Sequence, residues 1–143
     1  MKLLLSAAVA ALLAMPVFAE GAISIVDPYV RAMGAGSTTG AAFFVIENNS
    51  DQADRLVAAS TEVAMHAELH THKKDANGMM MMVEVPEGFA VDAGADHALA
   101  RGGDHVMLMG LNRNLAEGEL VKITLVFEHA GEVVIEAPVD NKR

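Results

Sequence analysis

The chain has 143 residues, a formal net charge of −9 and no cysteine. Negative charge on this scale argues against a nucleic-acid-binding protein, because phosphate backbones would repel the surface. The lack of cysteine excludes disulfides, thiolate metal sites and thiol redox chemistry. The length is sufficient for one folded domain with a single hydrophobic core.

The first nineteen residues have the features of a secretory signal peptide. Lys2 is followed by an apolar run, and small residues occupy positions 17 and 19. We expect residues 1–19 to be removed by cleavage after Ala19, which leaves residues 20–143 as the exported domain. The apolar run is short for a bilayer span, and no later stretch resembles one.

Beyond the leader, short apolar segments alternate with turns rich in glycine and asparagine, as is typical of all-β domains. Asp27-Pro28 is expected to end the first segment. Eight or nine strands of this kind indicate a Greek-key β-sandwich or barrel, in one domain without internal repeats. The extended segments lie, in chain order, at residues 22–26, 29–32, 41–47, 55–59, 62–72, 79–85, 89–91, 97–99, 105–111, 120–127 and 133–139, and those at 29–32, 89–91 and 97–99 are only short pieces.

The segment 62–72 and the hairpin after it place histidines beside methionines. Alternation predicts that Met65 faces inward with Val63, Ala67 and Leu69, and that the histidines at 66, 70 and 72 face the other way. Asn77-Gly78 is the preferred hairpin pair. We therefore expect His70 and His72 to lie alongside the run Met79–Met82, with Met80 and Met82 on the histidine face.

Histidine and methionine are concentrated in one part of the chain. Eight methionines and six histidines follow the leader, and seven and five of them, respectively, lie between Met65 and Met109. His105 and Met107 share one strand face, with Cα atoms about 6–7 Å apart. Imidazole and thioether are ligands that a soft ion such as Cu(I) selects. Core packing is the alternative use of methionine, but a strand must send two of four consecutive methionines to each face.

This pattern resembles the PCuAC family of periplasmic Cu(I)-binding chaperones, which have a cupredoxin-like sandwich. The family signature is a His, a Met about eleven residues later, and a His-x-Met about twenty-two residues further on. The similarity covers nearly the whole mature chain. The flanking segments that fit the family consensus are Val30-Arg31-Ala32, Ala41-Ala42-Phe43-Phe44, Asp54-Arg55-Leu56-Val57, Glu68-Leu69-His70, Asn77-Gly78-Met79-Met80, Gly102-Gly103-Asp104-His105-Val106-Met107-Leu108 and Gly131.

The resemblance implies that the copper ligands are His70, one methionine of the 79–82 run, His105 and Met107. Met81 has the first family spacing from His70, whereas Met82 is nearer to the second spacing. Strand alternation favours Met82 or Met80 over Met81, and we assign Met82.

Three further side chains could support this ligand set. His72 is a substitute ligand, a part of the path by which copper enters, or a solvated residue at a strand end. Glu68 and Glu84 lie on suitable faces to hydrogen-bond the imidazoles. The remaining acidic residues, Asp104 among them, are expected to form a solvated surface, and His97 is given no role.

The resemblance also implies a function. It is that of a monomeric metallochaperone of the periplasm that carries Cu(I), with Cu(II) as the alternative ion. The implied acceptor is the CuA centre of cytochrome oxidase subunit II, with help from a Sco-type thiol protein.

Two rival functions stay open. An exported structural or adhesive sandwich would use its methionines for packing alone. An enzyme, either a copper oxidase or a zinc hydrolase, ranks last, because zinc prefers His, Cys and carboxylate ligands and no catalytic triad or carboxylate pair stands out.

Overall fold

The computed structural model describes residues 21–32, 34 and 36–143, so the predicted signal peptide and its cleavage site lie outside the described residues. The described part contains no helix long and apolar enough to cross a membrane. Its ten strands are β1 (Ile23–Ala32), β2 (Thr39–Asn48), β3 (Asp54–Ser60), β4 (Ala64–Lys74), β5 (Met80–Glu84), β6 (Phe89–Val91), β7 (Asp96–Leu99), β8 (His105–Leu111), β9 (Leu120–Phe127) and β10 (Gly131–Pro138).

The strands form two antiparallel sheets that pack face to face. The larger sheet has the order β1-β2-β8-β4-β5, with β7 also paired to β2, and the smaller has the order β10-β9-β3-β6. This arrangement confirms the predicted all-β, single-domain sandwich. Ten strands are present instead of eight or nine, because the short segments β6 and β7 each pair with a longer neighbour.

The first strand continues through the Asp27-Pro28 pair at which we expected it to end. Its register against β2 shifts between Val26 and Tyr29, and Asp27 has a φ of +52°. β1 lies at the edge of the sheet, where a bulge can accommodate the missing N–H of a proline. The two predicted segments are therefore one bulged strand.

The hydrophobic core fills the space between the two sheets. Successive residues of a strand point to opposite faces, so the outer face of the larger sheet is free to carry other side chains. The largest fully buried side chains are Phe44, Ile46, Leu56, Leu108, Ile123, Leu125 and Phe127.

The prediction that Met65 belongs to this core is wrong, because its side chain is 75% exposed. Gly110 lies across from it on β8 with a φ of +67°. Inward packing resumes at the next pair, Ala64 and Leu111. This break in alternation directs Met65 outward against Gly110, where a Cβ atom would lie 3.0 Å from the Met65 Cβ.

Candidate metal centre

Three adjacent strands bring the predicted ligands to the outer face of the larger sheet. In the antiparallel registers, His105 on β8 lies opposite His70 on β4, and Met107 lies opposite Glu68. Across the β4–β5 hairpin, Met82 lies opposite His72. Residues far apart in sequence thus become neighbours because β4 is flanked by both β5 and β8.

His105 is only 2% exposed and has one ring nitrogen in use. Its Nδ1 donates a hydrogen bond to the carbonyl oxygen of Gly103 at 3.0 Å, since a carbonyl can only accept. Its Nε2 is buried and has no partner among the described residues. Burial lowers the pKa of His105, and the imidazoles of His72 and His70 add to this effect, although the Gly103 hydrogen bond and Asp104 oppose it. The net effect favours a neutral ring with a free lone pair.

His70 shows the complementary arrangement. Its Nε2 lies 2.9 Å from Oε2 of Glu68, so the ring N–H donates to the carboxylate. Its Nδ1 is buried without a partner in the described part of the chain. The centroids of the His70 and His105 rings are 5.9 Å apart. Two adjacent imidazoles therefore each keep one buried, unpaired nitrogen, and the predicted contact of Glu68 with an imidazole is present.

His72 shares a partner with His105. Its Nδ1 lies 3.3 Å from the carbonyl oxygen of Gly103, and its ring centroid is 5.3 Å from that of His105. One backbone carbonyl thus orients two imidazoles. His72 is half-buried in the sheet, so it is not the solvated strand-end residue considered above.

A cavity of about 680 Å³ opens beside these rings. His72, Met82, His105 and Met107 contribute to its wall, whereas His70 stands next to His105 outside that wall. Met107 is 9% exposed, and Met82 is 40% exposed. The donors consequently range from buried to accessible.

The β4–β5 hairpin places the methionines of the 79–82 run on different faces of the sheet. Met80 and Met82 lie opposite Lys74 and His72, and Met81 lies opposite Lys73. Alternation along β5 places Met80 and Met82 on the face of His72 and puts Met81 on the other face. Of these three residues, Met82 is the one that lines the cavity.

The donor set limits the kind of ion that could bind. Within residues 21–32, 34 and 36–143, no three His, Cys, Asp or Glu side chains form a group that could hold a metal ion. Two neutral imidazoles and two thioethers suit a soft, singly charged ion better than Zn²⁺, which prefers thiolate, imidazole and carboxylate.

Sequence reasoning missed how the segment before β8 is fixed. Nε2 of His97 lies 2.8 Å from Oδ2 of Asp104, and the Phe89 ring stacks on His97 with centroids 5.6 Å apart. Asp104 is thus an anchor and not merely part of a solvated surface. The pair ties β7 to the loop that presents the Gly103 carbonyl. The only available signal was the Gly102-Gly103-Asp104 turn just before His105.

Comparisons with known proteins agree with this fold. Residues 23–139 match the family model described as LpqE-like. A protein named lipoprotein Lxx21020, from Leifsonia xyli subsp. xyli, is 33% identical over 117 residues, which cover 82% of this chain and 69% of that protein.

Similar solved structures are PCuAC domains. The copper-bound PCuAC domain from PmoF2 is 28% identical with a TM-score of 0.69, and the match covers 84% of this chain and 93% of that one. The solution structure of CuI-DR1885 from Deinococcus radiodurans is 34% identical with a TM-score of 0.67, and it covers 86% of this chain and 83% of that one. The cupredoxin-like fold expected from the sequence is therefore confirmed.

Proposed function

We propose that this chain, which belongs to the LpqE-like family, is a metallochaperone that binds Cu(I) and passes it to another copper protein. In this proposal His70, Met82, His105 and Met107 hold the ion. Copper is cargo and not a catalytic cofactor, so the protein is not an enzyme.

The observation that carries the proposal is the pair of unpaired imidazole nitrogens. Nδ1 of His70 and Nε2 of His105 are both buried, and neither has a partner among the described residues. Leaving a buried polar atom unpaired is costly, so each such atom calls for an explanation, and a bound ion is one. An ion shared by the two rings would satisfy both nitrogens, and their other nitrogens are already fixed by Glu68 and Gly103.

The remaining donors favour copper in its reduced state. The Met82 and Met107 thioethers carry no charge and cannot be protonated, and soft donors of this kind select Cu(I). Two similar domains are named as a copper-bound PCuAC domain and as CuI-DR1885, which supports the same ion for this chain. Cu(II) is the alternative ion, and His72 would serve it as an additional imidazole.

The exposure of Met82 suits delivery. A ligand that is 40% exposed can be exchanged for a donor of an approaching protein, while His105 stays buried. The resemblance to PCuAC domains supports the CuA centre of cytochrome oxidase subunit II as the acceptor, with a Sco-type protein assisting. The signal-peptide features support action in the periplasm.

An anaerobic titration with Cu(I) against a chromogenic chelator tests the proposal. We expect the wild type to hold one equivalent and the double variant His105→Ala/Met107→Ala to lose it. The matched control, Met65→Ala/His129→Ala, changes the same residue types at exposed positions and should keep the equivalent. Circular dichroism verifies that each variant is folded.

Two outcomes would contradict the proposal. A wild type that cannot compete for Cu(I) would favour the rival view of a structural or adhesive sandwich. A loaded protein that gives no copper to a purified CuA domain, yet yields it to a chelator, would contradict the proposed acceptor.

A further inference from the structure

Three methionines next to the proposed ligands have no part in the ligand set. Met79, Met80 and Met81 are 66%, 55% and 50% exposed, so they do not serve the core. Adjacent exposed apolar side chains are a feature that usually has a role in binding. Because these methionines lie next to Met82, one of them could bind copper on its way to the buried ligands.

The donors on the cavity side of the sheet form a gradient of exposure. The exposed fraction falls from 55% at Met80 to 40% at Met82, 9% at Met107 and 2% at His105. Met80 and Met82 share one face of β5, with Cα atoms about 6–7 Å apart. The exposed thioether of Met80 is thus the next side chain on the same strand face as Met82, the most accessible of the proposed ligands.

We propose that Met80 is the first-contact ligand, through which Cu(I) enters and leaves the site; this inference rests on the proposed function. The Met80 sulfur replaces one ligand of the arriving Cu(I) complex, and the ion is then shared between Met80 and Met82 as a second ligand of that complex leaves. It reaches the buried donors when a bond to His105 or Met107 forms and the bond to Met80 breaks. Each step exchanges one neutral ligand for another, so the ion remains Cu(I) and no electron or proton is transferred.

The charge near Met80 favours brief binding of Cu(I) there over stable binding. Lys74 lies directly opposite Met80 in the β4–β5 register and is exposed. A positive charge disfavours a resident cation nearby, whereas Met82 faces the imidazole of His72. A single thioether on a residue that lies opposite a lysine is therefore suited to brief contact, and the ion is held longer by the donors deeper in the site.

The two faces of β5 provide a matched pair of variants. Met80→Leu and Met81→Leu remove the same sulfur from neighbouring, similarly exposed positions, one on the cavity face and one on the opposite face. Stopped-flow absorbance follows Cu(I) passing from a chromogenic chelator complex to the protein and, in the reverse mixing order, its removal. Equilibrium competition with the same chelator gives the affinity.

We expect Met80→Leu to slow both loading and removal by about fivefold, which corresponds to about 1 kcal/mol in the activation free energy. The affinity should be unchanged, because both rates fall by the same factor. Met81→Leu should behave as the wild type.

Several results would overturn the inference. Wild-type rates in Met80→Leu would exclude a kinetic role, and equal slowing in Met81→Leu would show that the effect does not depend on the cavity face. A weakened affinity in Met80→Leu would make Met80 a resident ligand instead. In each of these results the wild type still binds Cu(I), whereas a wild type that binds no Cu(I) would also end the proposed function.

Discussion

At the scale of single residues, Glu68 decides which nitrogen His70 can offer to a metal. Its carboxylate accepts a hydrogen bond from Nε2 at 2.9 Å and leaves Nδ1 free. Partners of this kind typically change metal affinity 10- to 100-fold. We expect Glu68→Ala to weaken Cu(I) binding by about tenfold or more in chelator competition. Glu84→Ala is the control, because Glu84 lies opposite His70 but is exposed; equal losses in both variants would contradict this role of Glu68.

His105 also predicts how stability depends on pH. Burial is the main cause that lowers its pKa from 6.5 in the folded state, so the unfolded chain takes up its proton at a higher pH. The free energy of unfolding should therefore fall as the pH drops below about 6.5. Denaturant titrations between pH 8 and about pH 5 measure this slope. His105→Gln should make the dependence shallower, and an unchanged slope would show that His105 does not titrate as described.

The sequence predicted residue placement well where strand alternation is regular. The shared face of His70, His72 and Met82 follows from a period of two and one Asn-Gly turn. Met65 was misplaced, because the sequence does not reveal that Gly110 adopts a positive φ on the neighbouring strand. The His97–Asp104 pair was missed because it depends on how a turn folds back.

At the scale of elements, the β4–β5 hairpin holds Met82 in place. Oδ1 of Asp75 accepts hydrogen bonds from the amides of Asn77 and Met79 at 2.8 and 2.9 Å, and Gly78 has a φ of +80°. The predicted hairpin is present, but only Gly78 of the Asn77-Gly78 pair has a positive φ. The connection is therefore a longer loop that Asp75 closes, and not the two-residue turn that this pair favours.

Removing the Asp75 carboxylate should loosen this hairpin and spare the rest of the fold. Each hydrogen bond contributes about 0.5–1.5 kcal/mol, so Asp75→Ala should destabilise β5 by about 1–3 kcal/mol. We expect faster amide hydrogen exchange in residues 80–84 and weaker Cu(I) binding, with little change in the exchange of β9. Asp51→Ala, in a different turn, is the control. Uniform acceleration of exchange would mean that the hairpin does not open independently.

Strand boundaries were harder to predict than strand identity. The continuity of β1 through Asp27-Pro28 depends on its edge position and on pairing with β2, and neither is a local property. The pairing of both β7 and β8 with β2 likewise joins segments distant in sequence.

At the scale of the whole molecule, the core and the metal-binding face are separate. Ile123 on β9 is fully buried between the sheets, whereas the proposed ligands lie on the outer side of the larger sheet. Ile123→Ala should lower the free energy of unfolding by about 2–5 kcal/mol. Denaturant titration measures this loss, and the folded variant should retain wild-type Cu(I) affinity. A parallel loss of affinity would show that the core controls the site.

The sandwich class was predictable because a chain of many short strands separated by turns can bury its apolar faces in only a few architectures. The strand order was not, since β4 pairs with β8 across thirty residues of intervening chain. That long-range pairing is what places His70 beside His105. The concentration of histidine and methionine predicted a soft-metal site, but the pairing of His70 with His105 was implied only by the family resemblance.

The central claim is that two imidazoles and two thioethers hold one Cu(I). X-ray absorption at the copper K-edge of the anaerobically loaded protein tests it most directly, because the method distinguishes sulfur from nitrogen neighbours. We predict two nitrogen and two sulfur scatterers per copper, with one sulfur lost in Met82→Leu. A spectrum with nitrogen or oxygen neighbours alone would contradict the account.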